Sequence, residues 1–143
     1  MILLDTNVIS ALMRPTPEVP VLRWLDNQPR SSIWSTSITL MELRYGLQIM
    51  PAGRRRDAMF QALETLLVEK IEGRIAPFDS AAAQHAGDLM ALRKPRGRPG
   101  DYRDTMIAGI ALSTRATLAT GNIAHFADLS VPVVNPWTAQ SDV

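Results

Sequence analysis

The first apolar run of this chain, Ile2-Leu3-Leu4, ends at a carboxylate, Asp5, and apolar residues resume at helical spacing with Val8, Ile9 and Leu12. A run this short before a polar stop reads as a buried strand, and the spacing behind it reads as a helix. The same alternation repeats. A helix from Asp5 to Met13 is broken by Pro15 and Pro17, and a second one carries Val21, Leu22, Trp24 and Leu25 and stops at Pro29. "SSIWSTS" reads as a second strand and "ITLMELRYGLQIM" as a helix with Leu40, Leu43 and Leu47 on one side. The stripe Met59, Phe60, Leu63, Leu66, Leu67 and Ile71 predicts one long helix ended by Gly73, and "RIAPF" is a brief extended piece. Asp79 caps an alanine-rich helix stopped by Pro95, "PRGRPGDYR" is a loop, and Asp104 begins a further helix. "TLATGN" and "VPVVNPW" supply the last extended segments. Short strands separated by helices predict an α/β fold with a short, mostly parallel central sheet of about four to five strands. In such a sheet, functional groups collect at the carboxyl ends of the strands.

The bulk numbers bound the rest. A chain of 143 residues is enough for one compact domain, expected to span 1–143, and no repeat or linker divides it. With 46% hydrophobic and 20% charged residues the composition is globular rather than disordered. The net charge of +1 announces no nucleic-acid or membrane partner, so any electrostatic site must come from local segregation. The absence of cysteine excludes disulfides, thiolate ligands and a Cys nucleophile. The N-terminal apolar run is far shorter than a signal-peptide core, and no stretch approaches the roughly 18 apolar residues of a membrane helix. The expectation is a soluble cytoplasmic protein.

On that topology the polar candidates fall together. Asp5 ends the first strand, Glu42 lies in the helix after the second, Asp104 begins a helix with Asp101 one turn earlier, and Asn122 follows the fourth strand. Each has a structural alternative. Asp5, Asp101 and Asp104 suit helix N-caps or first turns, Glu42 suits a capping box with Thr39, and Asn122 suits a turn. Convergence at one sheet edge favours a shared site. Several carboxylates cannot share a pocket as bare anions, and a divalent cation resolves the conflict. Oxygen ligands without Cys or clustered His select Mg²⁺ or Mn²⁺, which suit phosphate chemistry.

"LLDTNVIS", "SITLMELRYGL", "DYRDTMIAGIAL" and "LATGNIAHF…NPW", in that order, resemble the PIN-domain family, and within it the VapC-type toxins of toxin–antitoxin pairs in the FitB-like branch. The resemblance implies a three-layer PIN-like sandwich and a Mg²⁺- or Mn²⁺-dependent endoribonuclease restrained by a small antitoxin. It implies that Asp5, Glu42 and Asp104 hold the metal, and that Thr6, Asn7 and Thr120 support them. Asn122 matches a position that is often Asp or Asn. One departure is Gly121, where many relatives carry a charged residue. Asp5 and Asp104 are then direct ligands, Glu42 orients the attacking water, Asn122 binds that water or a phosphate oxygen, and Asp101 adds nearby charge. The family also implies a homodimer, with an antitoxin segment in an apolar groove and operator DNA reached through the antitoxin.

Arg93, Lys94, Arg96, Arg98 and Arg103 crowd the Gly/Pro loop beside Asp101 and Asp104, where an RNA backbone would need cations; a solvated loop is the plain alternative. Arg54, Arg55 and Arg56 read as surface. His85 reads as a helix-surface residue and His125 as part of a structural turn. Gly46 and Gly109 are expected to permit close helix packing. The helices around 17–28 and 54–71 carry more apolar residues than a small sheet needs. Three rivals stand beside the ribonuclease. A haloacid-type phosphatase would need an acid where Asn7 stands. A DNA-directed nuclease shares the same residues. A non-catalytic RNA-binding or repressor-complex module would not need them to work.

Overall fold

Leu3 and Leu4 are both buried, yet they enter different cores. Successive side chains of a strand point to opposite faces, so a strand buried on both faces needs apolar residues in unbroken sequence. The computed structural model describes residues 1–97 and 101–139. Its strands are β1 (Ile2–Leu4), β2 (Ile33–Thr36), β3 (Ile75–Ala76), β4 (Thr117–Ala119) and β5 (Val133–Val134). They form one five-stranded sheet in the order β3-β2-β1-β4-β5, parallel throughout. Ile2 pairs with Ile33 on one side and Thr117 on the other, so β1 is central.

The helices are α1 (Thr6–Met13), α2 (Val19–Asp26), α3 (Ser37–Gln48), α4 (Arg54–Thr65), α5 (Ser80–Arg93) and α6 (Tyr102–Thr114). Four of them start on a side-chain cap: Asp5 for α1, Thr36 for α3, Asp79 for α5 and Asp101 for α6. These oxygens satisfy backbone N–H groups that have no partner inside the helix. The long helix expected to run to Gly73 is regular only to Thr65 and continues as a π-helical turn, Leu66–Lys70. The last long helix begins earlier than the sequence suggested. Its cap is Asp101, which leaves Asp104 in the first turn.

One face of the sheet is covered by α1, α2 and α4 through large side chains such as Val8, Ile9, Trp24, Leu25 and Leu63. The other is covered by α5 and α6 through Ala82, Leu89, Ile107, Ala108, Ile110 and Ala111. Helix α3 straddles the seam, with Leu43 and Leu47 in the first core and Ile38 in the second. At Gly109 a Cβ would lie 2.4 Å from the Ala82 carbonyl oxygen and 2.9 Å from Ala86 Cβ, so α5 and α6 touch backbone to backbone there. Gly46 has no such role, because a Cβ there meets nothing within 4 Å. The chain builds β1 to β3 outward in one direction and then returns to place β4 on the other side of β1. The carboxyl ends of β1 and β4 therefore flank the switch point of the sheet, where α/β folds open a crevice.

Candidate active site at the sheet edge

Asp5 follows β1 at that switch point and is 3% exposed. Its Oδ1 accepts from the Thr6 N–H at 2.8 Å, so it is a helix cap. Its Oδ2 accepts from the Thr120 hydroxyl at 2.7 Å and the Asn7 amide at 3.3 Å. Thr120 directly follows β4. Asn7 ties the two strand ends together, because its Oδ1 also accepts from the Gly121 N–H at 3.0 Å. Gly121 has no room for a side chain, since a Cβ would sit 2.9 Å from the Trp137 ring.

Thr6 turns the other way. Its hydroxyl donates to Glu42 Oε1 at 3.0 Å and lies 3.1 Å from the Thr39 hydroxyl. A hydroxyl has one proton, so with Thr6 donating to Glu42, the Thr39 hydroxyl is the donor to Thr6. Glu42 thus forms no capping box. The cap of α3 is Thr36, whose hydroxyl accepts from the Thr39 N–H at 3.0 Å. Glu42 Oε2 lies 3.7 Å from Arg103, which also pairs with Asp101 at 3.1 Å. Asp104 Oδ2 lies 2.9 Å from His125 Nδ1.

Burial is the main cause that pushes the Asp5 carboxyl above its ordinary range, with the charge of Asp104 adding to it. The hydrogen bonds from Thr120 and Thr6 oppose that shift. Glu42 is raised as well, first by burial, against the pull of Thr6 and Arg103, with Asp5 and Asp104 adding repulsion. Asp101 is lowered by its hydrogen bonds with Arg103. Asp5 therefore feels the charge of Asp104, and Glu42 feels those of Asp5 and Asp104, so like charge crowds this edge. Their oxygens suit a hard divalent cation. Among the described residues, no three His, Cys, Asp or Glu side chains converge as a ready cage. The donor set, carboxylates with water completing the shell, fits Mg²⁺ or Mn²⁺.

Residues 2–131 match the PIN domain family. This chain is a PIN domain. Over 137 residues it is 39% identical to the VapC ribonuclease Y4jK of Sinorhizobium fredii, covering 96% of this chain and 98% of that protein. It is 35% identical over 137 residues to the toxin FitB of Neisseria gonorrhoeae, covering 96% of this chain and 99% of FitB. The solved structure of FitAB bound to a DNA fragment superposes with a TM-score of 0.87 at 32% identity, covering 100% of both chains.

Within this PIN domain the structure separates the basic residues that the sequence grouped. Arg103 stands at the rim, in reach of Glu42 and Asp101. Lys94 and Arg96 are exposed on a 3-10 turn, Lys94–Arg96, after α5. Arg98 lies outside the described residues. Arg93 is not an RNA contact: it is 4% exposed, with its guanidinium on Asp128. Asn122 is exposed, and its N–H donates to Thr120 Oγ1 at 3.0 Å. His85 is exposed on α5 as expected. His125 is the site residue that sequence reasoning passed over. The signal was its place three residues after Asn122, on a turn starting from the same sheet edge, but nothing in the sequence pairs it with Asp104.

Among the described residues no helix is long and apolar enough to cross a membrane. Of the two apolar helices noted in the sequence, α2 spends Val21, Trp24 and Leu25 on the core, whereas α4 borders a groove. That groove, of about 1080 Å³, runs between α4 and the end of α1. Leu12, Met59 and Leu66 are among its apolar lining residues, and Arg14, Arg55 and Lys70 stand along it.

Proposed function

We propose that this PIN domain is a Mg²⁺- or Mn²⁺-dependent endoribonuclease, the toxin of a cytoplasmic toxin–antitoxin pair restrained by a small cognate antitoxin. The observation that carries the reading is Asp5: a carboxylate buried at the switch point, held by Thr6, Asn7 and Thr120, and raised by burial and by Asp104. Burying an acid this way costs stability unless a cation or proton neutralises it. The printed names of the ribonuclease and toxin relatives support the same reading.

Asp5, Asp104 and Glu42 are the residues that would hold the metal. Held there, such an ion would supply neutralisation of phosphate charge and acidification of a water, the chemistry that hydrolysis of an RNA phosphodiester needs. Thr6 orients Glu42 through its donated hydrogen bond. Thr120 and Asn7 fix the Asp5 carboxylate, so its orientation is set before substrate arrives. Asn122 would hydrogen-bond water or a phosphate oxygen. Lys94, Arg96 and Arg103 supply the cations that draw an RNA backbone toward acids. The groove beside α4 would take an apolar segment of the antitoxin, the chain would act as a homodimer, and operator DNA would be reached through the antitoxin, in line with the DNA-bound FitAB relative.

RNA cleavage by the purified chain with Mg²⁺ or Mn²⁺ tests the proposal, with EDTA and Asp5→Asn as controls and single-stranded DNA as a parallel substrate. The expected result is RNA cleavage lost in both controls. Cleavage of DNA alone would overturn the substrate. A folded protein that binds RNA and cuts nothing would overturn catalysis in favour of a binding module.

A further inference from the structure

Arg93 ends α5 and is only 4% exposed, a costly place for a guanidinium unless its donors are matched. It makes a two-pronged pair with Asp128, Nε to Oδ2 at 2.9 Å and Nη2 to Oδ1 at 2.8 Å. Nη2 also donates to the His125 carbonyl at 2.9 Å, and Nη1 donates to Thr105 Oγ1 at 3.3 Å. The Thr105 hydroxyl gives its own proton to the Asp101 carbonyl at 3.1 Å, so it is fixed as an acceptor toward Arg93.

Those contacts reach two segments that meet again at the acid edge. Thr105 follows Asp104 in the first turn of α6. His125 lies on the 3-10 turn Ile123–Phe126 and meets Asp104 through its ring. One planar fork therefore holds the His125 backbone and the residue beside Asp104 in one frame. A lysine would bring the charge without that geometry.

We infer that Arg93 is a positioning residue of the site: it sets the first turn of α6 against the 3-10 turn, and so fixes where the Asp104 carboxylate stands. The inference rests on the metal-dependent reading above. A residue that orients a ligand group changes cation affinity in a folded protein, which a residue serving stability alone does not.

The test uses the full chain as wild type, Arg93→Lys, Arg93→Met and Thr105→Val. Circular dichroism reports folding, electron paramagnetic resonance reports Mn²⁺ binding, and amide hydrogen exchange is read at residues 101–107 and 123–126. Folded Arg93 variants are expected to bind Mn²⁺ about tenfold to a hundredfold more weakly. Exchange in those two segments is expected to be about tenfold faster, with the rest of the protein unchanged. Thr105→Val, which removes one acceptor with little change of shape, is expected to weaken Mn²⁺ about fivefold and decides the matter should the Arg93 variants fail to fold. Wild-type Mn²⁺ affinity and wild-type exchange in folded variants would overturn the inference. Should the wild type itself bind no Mn²⁺, the nuclease reading falls, and exchange alone decides Arg93: faster exchange confined to the two segments upholds its positioning role, and unchanged exchange overturns it.

Discussion

The two faces of the sheet are closed by opposite means. Where α5 meets α6 the contact is made by small residues, Ala82 and Ala86 against Gly109, and the two backbones touch. Under α1, α2 and α4 the residues are large, and between α1 and α4 the surface stays open as an apolar groove with basic residues along it. Close backbone contact leaves little freedom, and the α5–α6 face is the one that carries Arg93, Thr105 and Asp104 to the acid edge. Large side chains around an open groove leave a surface that another chain can complete. Rigidity lies behind the proposed chemistry, and incompleteness lies where regulation is proposed.

The most forceful way to break this contrast is Gly109→Val. Its Cβ would press on the backbone oxygen of Ala82, which cannot rotate away. Overpacking of this kind is expected to cost about 3 kcal/mol and lower the thermal midpoint by about 10 °C, read by calorimetry. On the open face, Met59→Glu places a charge in the groove, where Met59 is only partly buried. The thermal midpoint is expected to move by about 3 °C or less, while affinity for the proposed antitoxin, measured by titration calorimetry, drops by about tenfold or more. A large loss of stability in this variant would show that the groove belongs to the core.

The smallest effect is expected on the seam. Folded Glu42 holds its proton more tightly than the unfolded chain does. Its stabilising contribution is therefore full below the ordinary value of 4.5 and is lost as pH rises through the raised folded value. Glu42→Gln removes that loss. In cation-free buffer its midpoint at neutral pH is expected to rise by about 2 °C, with a flatter profile between pH 4 and 7 (all by thermal scans). A lower midpoint would show that the bond from Thr6 outweighs the burial of charge.

Much of this was legible in the sequence because it is written in neighbouring residues. Ile2-Leu3-Leu4-Asp5 carries both the strand and its polar end, and Asp79 sits directly before the helix it caps. The alternation of strand and helix by itself directs Glu42, Asp104 and Asn122 to one edge. What was illegible depends on partners far along the chain. Arg93 looked like its exposed neighbours Lys94 and Arg96, and only Asp128, 35 residues later, draws it inside. The Asp104–His125 contact spans 21 residues, and the choice of Thr36 over Thr39 as the cap of α3 turns on backbone geometry that both hydroxyls fit in sequence. Gly109 and Gly46 look alike in a helix, and only the neighbouring helix tells them apart.

The hydrogen bond between Thr120 and Asp5 joins residues 115 positions apart. At synthesis rates of about 5–20 residues per second, the first of these leaves the ribosome on the order of ten seconds before the second is made. During that interval the carboxylate has no strand β4 beside it and no hydroxyl to hold it. A nascent chain carries the acid before it carries the site, so the proposed activity has to wait until Thr120 has been made.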